Sequence, residues 1–278
     1  MSRNGRPMRF TRSQIQRLKE FGDEDHDTEF GSAEEREKAF SEIFSKLTSK
    51  NDALVRRMMS YPERHSLSML EHSIAEMLTK KGFIEVRTPS IISKAALEKM
   101  TVTKGSELYK QVFQIDDRRC LRPMLAPNLY FVMHKLRKRT DGPVRIFEIG
   151  ACFRKEKGGN GHLEEFTMLN LVELGPEGDP TDRLMEHISA VMGTTGLNYG
   201  TVTEYSGVYK ETLDVTVNGS EVASGAVGPH PLDAMHDIRE PWCGIGFGLE
   251  RLLAEMMKKS NIRKAGKSLV YLNGAKID

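Results

Sequence analysis

Four runs in the second half of the chain are rich in β-branched and aromatic residues, and they constrain the fold more than any other feature. They are VRIFEIGACFR, EFTMLNLVEL, ETLDVTV and SEVASGAV, beginning at Val144, Glu165, Glu211 and Ser220. Only Asn218-Gly219 separates the last two, and this dipeptide is the strongest short signal for a two-residue hairpin. Because a hairpin joins antiparallel strands, the runs predict an antiparallel sheet.

Helices are predicted around this sheet. Thr11 with Gln14, and Ser32 with Glu35, have the spacing of capping boxes that start two helices. A third helix is indicated by apolar residues at helical spacing, namely Leu67, Leu70, Ile74 and Met77. A glycine-rich run ending at Gly248 leads directly into a last helix. The expected fold class is therefore α+β, an antiparallel sheet flanked by helices on one side.

Two prolines divide the segment between these parts. Pro89 interrupts GFIEVRTPSIIS, so we expect the strand there to end or to lie at a sheet edge. Pro127 suits the first turn of a helix within RPMLAPNLYFVMHKLRKR. One face of that helix carries Ala126, Leu129, Tyr130 and Met133. Such a face usually packs in a core, and the alternative is the wall of a ligand pocket.

Composition limits the functions that the chain can have. Its 278 residues include 41 Lys and Arg against 39 Asp and Glu, so a nucleic acid would have to meet a local basic patch. No run is long and apolar enough for a membrane helix. The three cysteines are widely spaced, which argues against disulfides and a zinc site and for a reducing, cytoplasmic location.

The stretch FRKEKGGNGHLEEFTMLNL surrounds a glycine-rich tip with charged residues. Arg154 offers a planar guanidinium suited to phosphate, while Glu156 and His162 lie on the two arms of the loop. A charged hairpin is more often simply solvated. A second element, GIGFG followed by Glu250 and Arg251 at a helix start, shifts the balance toward a bound anion.

Strand alternation places a polar residue among apolar ones. Phe166, Met168, Asn170 and Val172 share one face of the strand. An amide in such a place needs a hydrogen-bond partner. Asn170 therefore either satisfies a nearby backbone group or binds a ligand, and the residues alone leave both open.

Other nucleotide and catalytic motifs are not formed. AGKS at the C-terminal end lacks the first glycine of a P-loop, because Asn261 stands in that position. GxGxxG at the start of a βαβ unit, GxSxG and HExxH are likewise absent from the sequence.

These segments together resemble the class II aminoacyl-tRNA synthetases. GFIEVRTPSIIS resembles their motif 1, FRKE with HLEEFTMLNL resembles motif 2, and GFGLERLL resembles motif 3. RPMLAPNLY, VYKETLDV, VGPHPLD and PWCGIGFGLERLL add a narrower resemblance to the pyrrolysyl branch of this family, in its short form without a separate N-terminal tRNA-binding domain. The implied organisation is a helical N-terminal extension over 1–60 and a class II synthetase catalytic domain over 61–278.

The resemblance implies an ATP site with Mg²⁺. The motif 2 and motif 3 arginines, Arg154 and Arg251, would be catalytic, with adenine between Phe166 and Arg251 and Mg²⁺ beside Glu221 and Ser224. The implied ATP-binding residues are Arg154, Glu156, His162, Leu163, Phe166, Glu221, Ser224, Gly246 and Arg251.

The resemblance also implies an amino-acid pocket for pyrrolysine or lysine-carbamate analogues, with Asn170 meeting the side-chain amide and Tyr209 on a mobile hairpin that caps it. Its implied residues are Ala126, Leu129, Tyr130, Met133, Asn170, Val172, Tyr209, Ala226 and Trp242. Two positions depart from the branch: Ile245 replaces a smaller residue and Gly225 replaces alanine. We expect both departures to reshape the pocket floor.

The implied partners are a UAG-decoding tRNA and a second copy of the chain, joined through motif 1. HKLRKRT and KKSNIRKAGK are the best basic patches for tRNA, although each alone also fits a solvated helix end. Three alternatives remain: a class II synthetase for another amino acid, such as the phenylalanyl or phosphoseryl type, a synthetase-like regulator, and a ligase that loads a protein.

Overall fold

The computed structural model describes residues 8–22, 26–156 and 162–278. The helices in these ranges are α1 (Arg12–Phe21), α2 (Ala33–Ser60), α3 (Ser66–Lys80), α4 (Lys94–Lys99), α5 (Glu107–Lys110), α6 (Ala126–Arg137), α7 (Pro180–Thr195) and α8 (Leu249–Met256). The strands are β1 (Ile84–Glu85), β2 (Ile91–Ser93), β3 (Arg119–Leu121), β4 (Val144–Phe153), β5 (Glu165–Leu174), β6 (Gly200–Ser206), β7 (Lys210–Val217), β8 (Ser220–Gly228), β9 (Trp242–Gly248), β10 (Tyr271–Leu272) and β11 (Ala275–Lys276). Two 3₁₀ helices span Pro231–His236 and Ile262–Lys264.

A seven-stranded sheet forms the centre, in the order β1-β4-β5-β9-β8-β7-β6. Its neighbours pair antiparallel except β1, which runs parallel to β4 with Ile84 opposite Ile146. The sheet is therefore antiparallel as predicted, except for the short parallel strand β1 at this edge. As predicted, the run containing Pro89 is interrupted: β1 is an edge strand, and β2 begins at Ile91 and pairs with β3 in a separate small sheet.

Helices cover both faces of the sheet. α3, α7 and α8 pack on one face, against Phe147, Leu169 and Leu171. α6 packs on the other face, where its apolar side meets Ile146 and Val172. The expectation of helices on one side is wrong because β4 carries large apolar residues on both faces, and each face must be removed from water.

Several local signals form as predicted. Thr11 and Gln14 make both hydrogen bonds of the capping box that starts α1. Asn218 and Gly219 have φ angles of 49° and 82°, as a two-residue hairpin turn requires. α6 begins at Ala126 with Pro127 in its first turn.

The second capping box is only half formed. The hydroxyl of Ser32 accepts a hydrogen bond from the backbone N–H of Glu35, so α2 starts where predicted. The carboxylate of Glu35 accepts from the N–H of Gly31 instead of from Ser32. The expectation that Glu35 bonds the N–H of Ser32 is therefore wrong, although the Ser32 hydroxyl still caps the helix.

The N-terminal helices dock on the C-terminal part of the chain. Asn51 in α2 donates to the carbonyl of Lys276 at 2.8 Å and accepts from its N–H at 2.7 Å. The ammonium of Lys264, 1% exposed, donates to the carbonyls of Lys19 and Gly22 at the end of α1. The division at residue 60 stays a prediction.

α7 and β6 were not predicted. The carboxylate of Asp179 caps α7 and Gly196 ends it in the left-handed region, so both of its end signals are conventional. β6 is an exposed edge strand that forms by pairing with β7. Within the described ranges, no helix combines the length and the apolar character needed to cross a membrane.

Candidate active site

A cavity of about 400 Å³ opens on the face of the sheet opposite α3, α7 and α8. Every residue that the resemblance assigned to ATP or to the amino acid lines this one cavity. Its wall also contains residues to which neither pattern nor resemblance assigned a role, namely Leu108, Met124, Ser206, Val208, Thr212 and Ile262.

The floor of the cavity is set by strand register. Asn170 on β5 lies opposite Gly246 on β9, which lies opposite Ser224 on β8. In the next row Val172, Gly244 and Ala226 are neighbours in the same way, and these face the same side of the sheet. Because Gly246 and Gly244 occupy the middle of the two rows, no side chain projects into the cavity from β9 at these positions.

A side chain at the glycine beside Asn170 would displace its neighbours. A Cβ at Gly246 would lie 3.0 Å from Asn170 Oδ1 and 3.0 Å from Met168 Cε. Glycine at this position therefore leaves the Asn170 amide accessible from the cavity.

A β-bulge brings Glu221 and Ser224 to the same face. Thr216 pairs with Glu221 and Val215 pairs with Ala223, so Val222 has no partner on β7. Simple alternation would put Glu221 and Ser224 on opposite faces, and the extra residue reverses this. Since both residues line the cavity, the bulge is what places a carboxylate beside a hydroxyl.

Arg154 follows β4 and is held by two contacts. Its Nε donates to the carbonyl of Pro123 at 2.9 Å, and its guanidinium carbon lies 5.3 Å from the centre of the Phe166 ring. Burial lowers the pKa of Arg154, but a guanidinium stays protonated at neutral pH. A cation is thus fixed at one end of the cavity.

The two arms of the charged loop converge beside Arg154. Its backbone N–H donates to the carbonyl of Glu164, which continues the pairing beyond β4 and β5. Glu156 and His162 approach across the arms, with 3.8 Å between Oε2 and Nδ1. The turn predicted for the tip, KGGNG, falls in 157–161 and lies outside the described residues.

Motif 3 supplies the second arginine. Arg251 stands in the first turn of α8, and its Nη1 lies 3.2 Å from the carbonyl oxygen of Glu221 and 4.0 Å from Oε1. The neighbouring Glu250 is buried, and both of its oxygens accept from the N–H of Thr167. This buried anchor fixes the start of α8 against β5, and Arg251 with it.

The opposite end of the cavity is apolar. Leu129, Tyr130 and Met133 on α6 are almost fully buried, and so are Val172 and Trp242 on the sheet. The face of α6 that the residues alone left open is both core and cavity wall, because these side chains pack together and still line the cavity.

Asn170 joins the two ends. No hydrogen bond is formed by its side chain with any part of the chain that the structure describes. Of its two possible roles, satisfying a backbone group is therefore not observed, and the amide is available to a ligand.

Tyr209 closes the apolar end. It lies in the turn between β6 and β7, with its ring centre 5.7 Å from that of Trp242 and 5.4 Å from that of His230. Burial raises its pKa, so the hydroxyl stays protonated. The mobility expected of this hairpin stays a prediction.

The two departures from the branch are neighbours. Gly225 and Ile245 pair across β8 and β9, and a Cβ at Gly225 would lie 3.2 Å from Ile245 Cβ. The Ile245 side chain belongs to the core on the far face of the sheet. A side chain at either position therefore packs on the core face, although both residues also line the cavity.

One further cluster has metal-ligand chemistry among the described residues. Glu173, His187 and Cys243 are buried, with potential ligand atoms within 4.8 Å of one another. Arg145 and Arg183 already pair with the Glu173 carboxylate, which also bonds His187 at 2.8 Å. Two guanidinium charges at the carboxylate oppose a cation, so an ion-pair network explains the cluster.

Comparison with known proteins agrees with this geometry. The family model described as the phenylalanyl-tRNA synthetase β-chain CLM domain matches residues 53–236. A solved pyrrolysyl-tRNA synthetase from Desulfitobacterium hafniense is 43% identical, with a TM-score of 0.89 and 98% of each chain covered. The chain belongs to the pyrrolysyl-tRNA synthetase family. A second solved structure from the same organism, also 43% identical, has a TM-score of 0.90 over 96% of this chain and 98% of that one.

Other relatives place this pyrrolysyl-tRNA synthetase family member among the aminoacyl-tRNA synthetases. The lysine–tRNA ligase of Ectopseudomonas mendocina is 33% identical over 147 residues, 49% of this chain and 26% of that protein. The histidine–tRNA ligase of Methanocaldococcus jannaschii is 29% identical over 111 residues, 38% of this chain and 26% of that protein. The match thus spans about a quarter of the length of these curated relatives.

Proposed function

We propose that the protein is a pyrrolysine–tRNA ligase, which activates pyrrolysine with ATP and transfers it to a UAG-decoding tRNA. The observation that carries this proposal is a single cavity with two fixed arginines at one end and an apolar pocket at the other. The near-complete match to pyrrolysyl-tRNA synthetase supports the choice of amino acid.

ATP would lie at the arginine end, with its α-phosphate at Arg154 and adenine between Phe166 and Arg251. Mg²⁺, when bound, would neutralise phosphate charge. The oxygen ligands that Mg²⁺ prefers are present at this site. Ser224 Oγ donates its proton to Asp214 Oδ1 at 2.6 Å, so the lone pairs of the hydroxyl are available to the ion, and the Glu221 carboxylate lines the same cavity.

The chemistry needs no nucleophile from the protein. The carboxylate oxygen of the amino acid attacks the α-phosphorus, and pyrophosphate leaves with the bonding electrons. The terminal ribose hydroxyl of tRNA then attacks the carbonyl carbon, loses its proton, and AMP leaves. The chain contributes positioning and fixed positive charge. In keeping with this, burial raises the pKa of the thiols of Cys152 and Cys243 to about 12, which leaves them unreactive.

The apolar end would take the long side chain. Leu129, Met133 and Val172 offer aliphatic contacts to a ring, and Asn170 offers both a donor and an acceptor to the side-chain amide. A class II synthetase for a phosphorylated amino acid would need cations there, and none of the described residues at this end is cationic.

The remaining parts of the proposal concern partners and location. We propose a homodimer joined through the motif 1 edge, where Ile84 and Ile91 are half exposed. The two basic runs are proposed to meet tRNA phosphates. The three free, buried cysteines fit a cytoplasmic location.

ATP–pyrophosphate exchange tests the activation step. We expect exchange with pyrrolysine or a lysine carbamate, and none with lysine, histidine or phenylalanine. Arg154→Ala should lower the exchange rate by a factor of about a hundred or more, because the transition state loses a fixed positive charge. The exposed Arg118→Ala is the matched control and should behave as wild type. Exchange driven by a canonical amino acid instead would reject the assigned substrate.

A further inference from the structure

A buried carboxylate behind the cavity wall binds two aromatic residues of that wall, Tyr130 and Trp242. Asp233, in the 3₁₀ helix after β8, is 1% exposed. Its Oδ1 accepts from the hydroxyl of Tyr130 at 2.6 Å, and its Oδ2 accepts from Nε1 of Trp242 at 2.7 Å. Oδ2 also accepts from the N–H of His230 at 2.6 Å. Both oxygens are thus engaged, and no ion pair to this carboxylate occurs among the described residues.

The two side chains that Asp233 holds come from different elements and meet edge to face at the apolar end of the cavity. Tyr130 lies on α6 and Trp242 on β9, with their ring centres 6.0 Å apart and their planes nearly perpendicular. Each ring is also confined on another side. His236 stacks on Tyr130 at 4.3 Å, and the indole lies so close to Gly228 that a Cβ there would be 1.9 Å from Nε1.

Rings alone do not fix this arrangement. A tyrosine or tryptophan at an apolar wall can rotate about its side-chain torsions, and van der Waals packing tolerates small displacements. A carboxylate that accepts two short hydrogen bonds fixes both polar ends at once, and removing it would leave two buried donors unsatisfied. Burial raises the pKa of Tyr130, so its hydroxyl remains protonated and able to donate.

We propose that Asp233 is a positioning residue for amino-acid recognition, which fixes Tyr130 and Trp242 relative to each other and hence the shape of the wall at the apolar end of the cavity. This inference rests on the proposed function for its substrate. It does not involve the ATP end, because Asp233 contacts neither arginine nor the residues around them.

Two substitutions grade the effect. Asp233→Asn keeps one acceptor oxygen, which should stay with the indole and the backbone N–H, since these groups only donate; the new NH₂ then faces Tyr130, whose hydroxyl can accept. Asp233→Ala removes all three bonds. We expect the KM for the lysine carbamate in exchange to rise about tenfold in Asp233→Ala and less in Asp233→Asn, with the KM for ATP unchanged.

The protein's single tryptophan gives a direct readout. Trp242 is the only one in the chain, so its fluorescence reports this site alone. We expect emission to move to longer wavelength in Asp233→Ala, as the indole loses its partner and meets water, and to stay near wild type in Asp233→Asn. If Asp233→Ala does not fold, Tyr130→Phe removes one bond of the same set and should raise the KM for the lysine carbamate in the same direction.

Asp179→Ala is the control for simple destabilisation. It removes the cap of α7, on the far face of the sheet, at a cost of about 1 kcal/mol expected for a lost N-cap, and should change neither KM. The inference is overturned if the Asp233 variants behave like this control, or if the KM values for ATP and amino acid rise together. If wild type gives no exchange with the carbamate, the proposed function fails, while an unshifted emission in Asp233→Ala would separately reject the positioning role.

Discussion

At the residue scale, Gly225 and Ile245, the two positions that depart from the branch, are neighbours on β8 and β9. A side chain added at Gly225 meets the Ile245 Cβ, the Gly244 carbonyl oxygen and Leu184 Cδ1, each at 3.2 Å. The expectation that these residues reshape the pocket floor is therefore narrowed. Side chains at these two positions meet on the core face, and Gly244 and Gly246 stand on the cavity face.

The pair predicts a coupling in stability. Ile245→Ala should lower the free energy of unfolding by about 2–5 kcal/mol, because it opens a void in the core. Gly225→Ala should destabilise the wild type by about 1–3 kcal/mol through overpacking. In the Ile245→Ala background the same change should cost less, since Leu184 can shift into the void, whereas the Cβ of residue 245 and the Gly244 carbonyl oxygen stay in place. Urea unfolding of the four proteins measures this, and additive effects would contradict the coupling.

Sequence patterns indicated some residues of the site and did not indicate others, for physical reasons. Arg154 and Asn170 were indicated by residue type and strand alternation. Glu221 and Ser224 came only from the family resemblance, because alternation places them on opposite faces and a bulge at Val222 is not visible in the sequence. Asp233 ends the segment VGPHPLD, but no pattern gave it a role, since its partner Tyr130 is 103 positions away.

At the element scale, the long strands β4, β5, β7 and β8 and most helices followed from residue composition, capping and the Asn218-Gly219 turn, whereas β3, β6, β10 and β11 were not predicted. Local signals determine where an element begins, but they do not determine which strands are neighbours. The cover on both faces depends on long-range burial and was predicted wrongly, and the parallel pairing of β1, which also depends on it, was not predicted. α7 was missed although Asp179 and Gly196 mark its ends.

Because Lys264 holds the end of α1, its substitution is predicted to lower the stability of the protein. Lys264→Met should remove a charged donor from the carbonyls of Lys19 and Gly22, and lower the free energy of unfolding by about 1.5–3 kcal/mol. It should also speed proteolytic release of the N-terminal segment. The exposed Lys104→Met is the control, and equal behaviour of the two variants would show that the buried ammonium does not hold α1.

At the scale of the whole molecule, one sheet floor serves two purposes. Its glycine-lined rows run from the arginine end to the apolar end, and Asn170 lies between them. We propose that this continuous cavity brings the carboxylate of a long lysine derivative to the α-phosphate of ATP, so that one active site completes both activation and transfer.

Aminoacylation of the UAG-decoding tRNA tests this claim most directly. With ATP, Mg²⁺ and pyrrolysine or a lysine carbamate, the account predicts an acid-gel shift of the tRNA, and no shift when the amino acid is replaced by lysine, histidine or phenylalanine. Charging with one of those canonical amino acids, and none with pyrrolysine or the carbamate, would contradict the account.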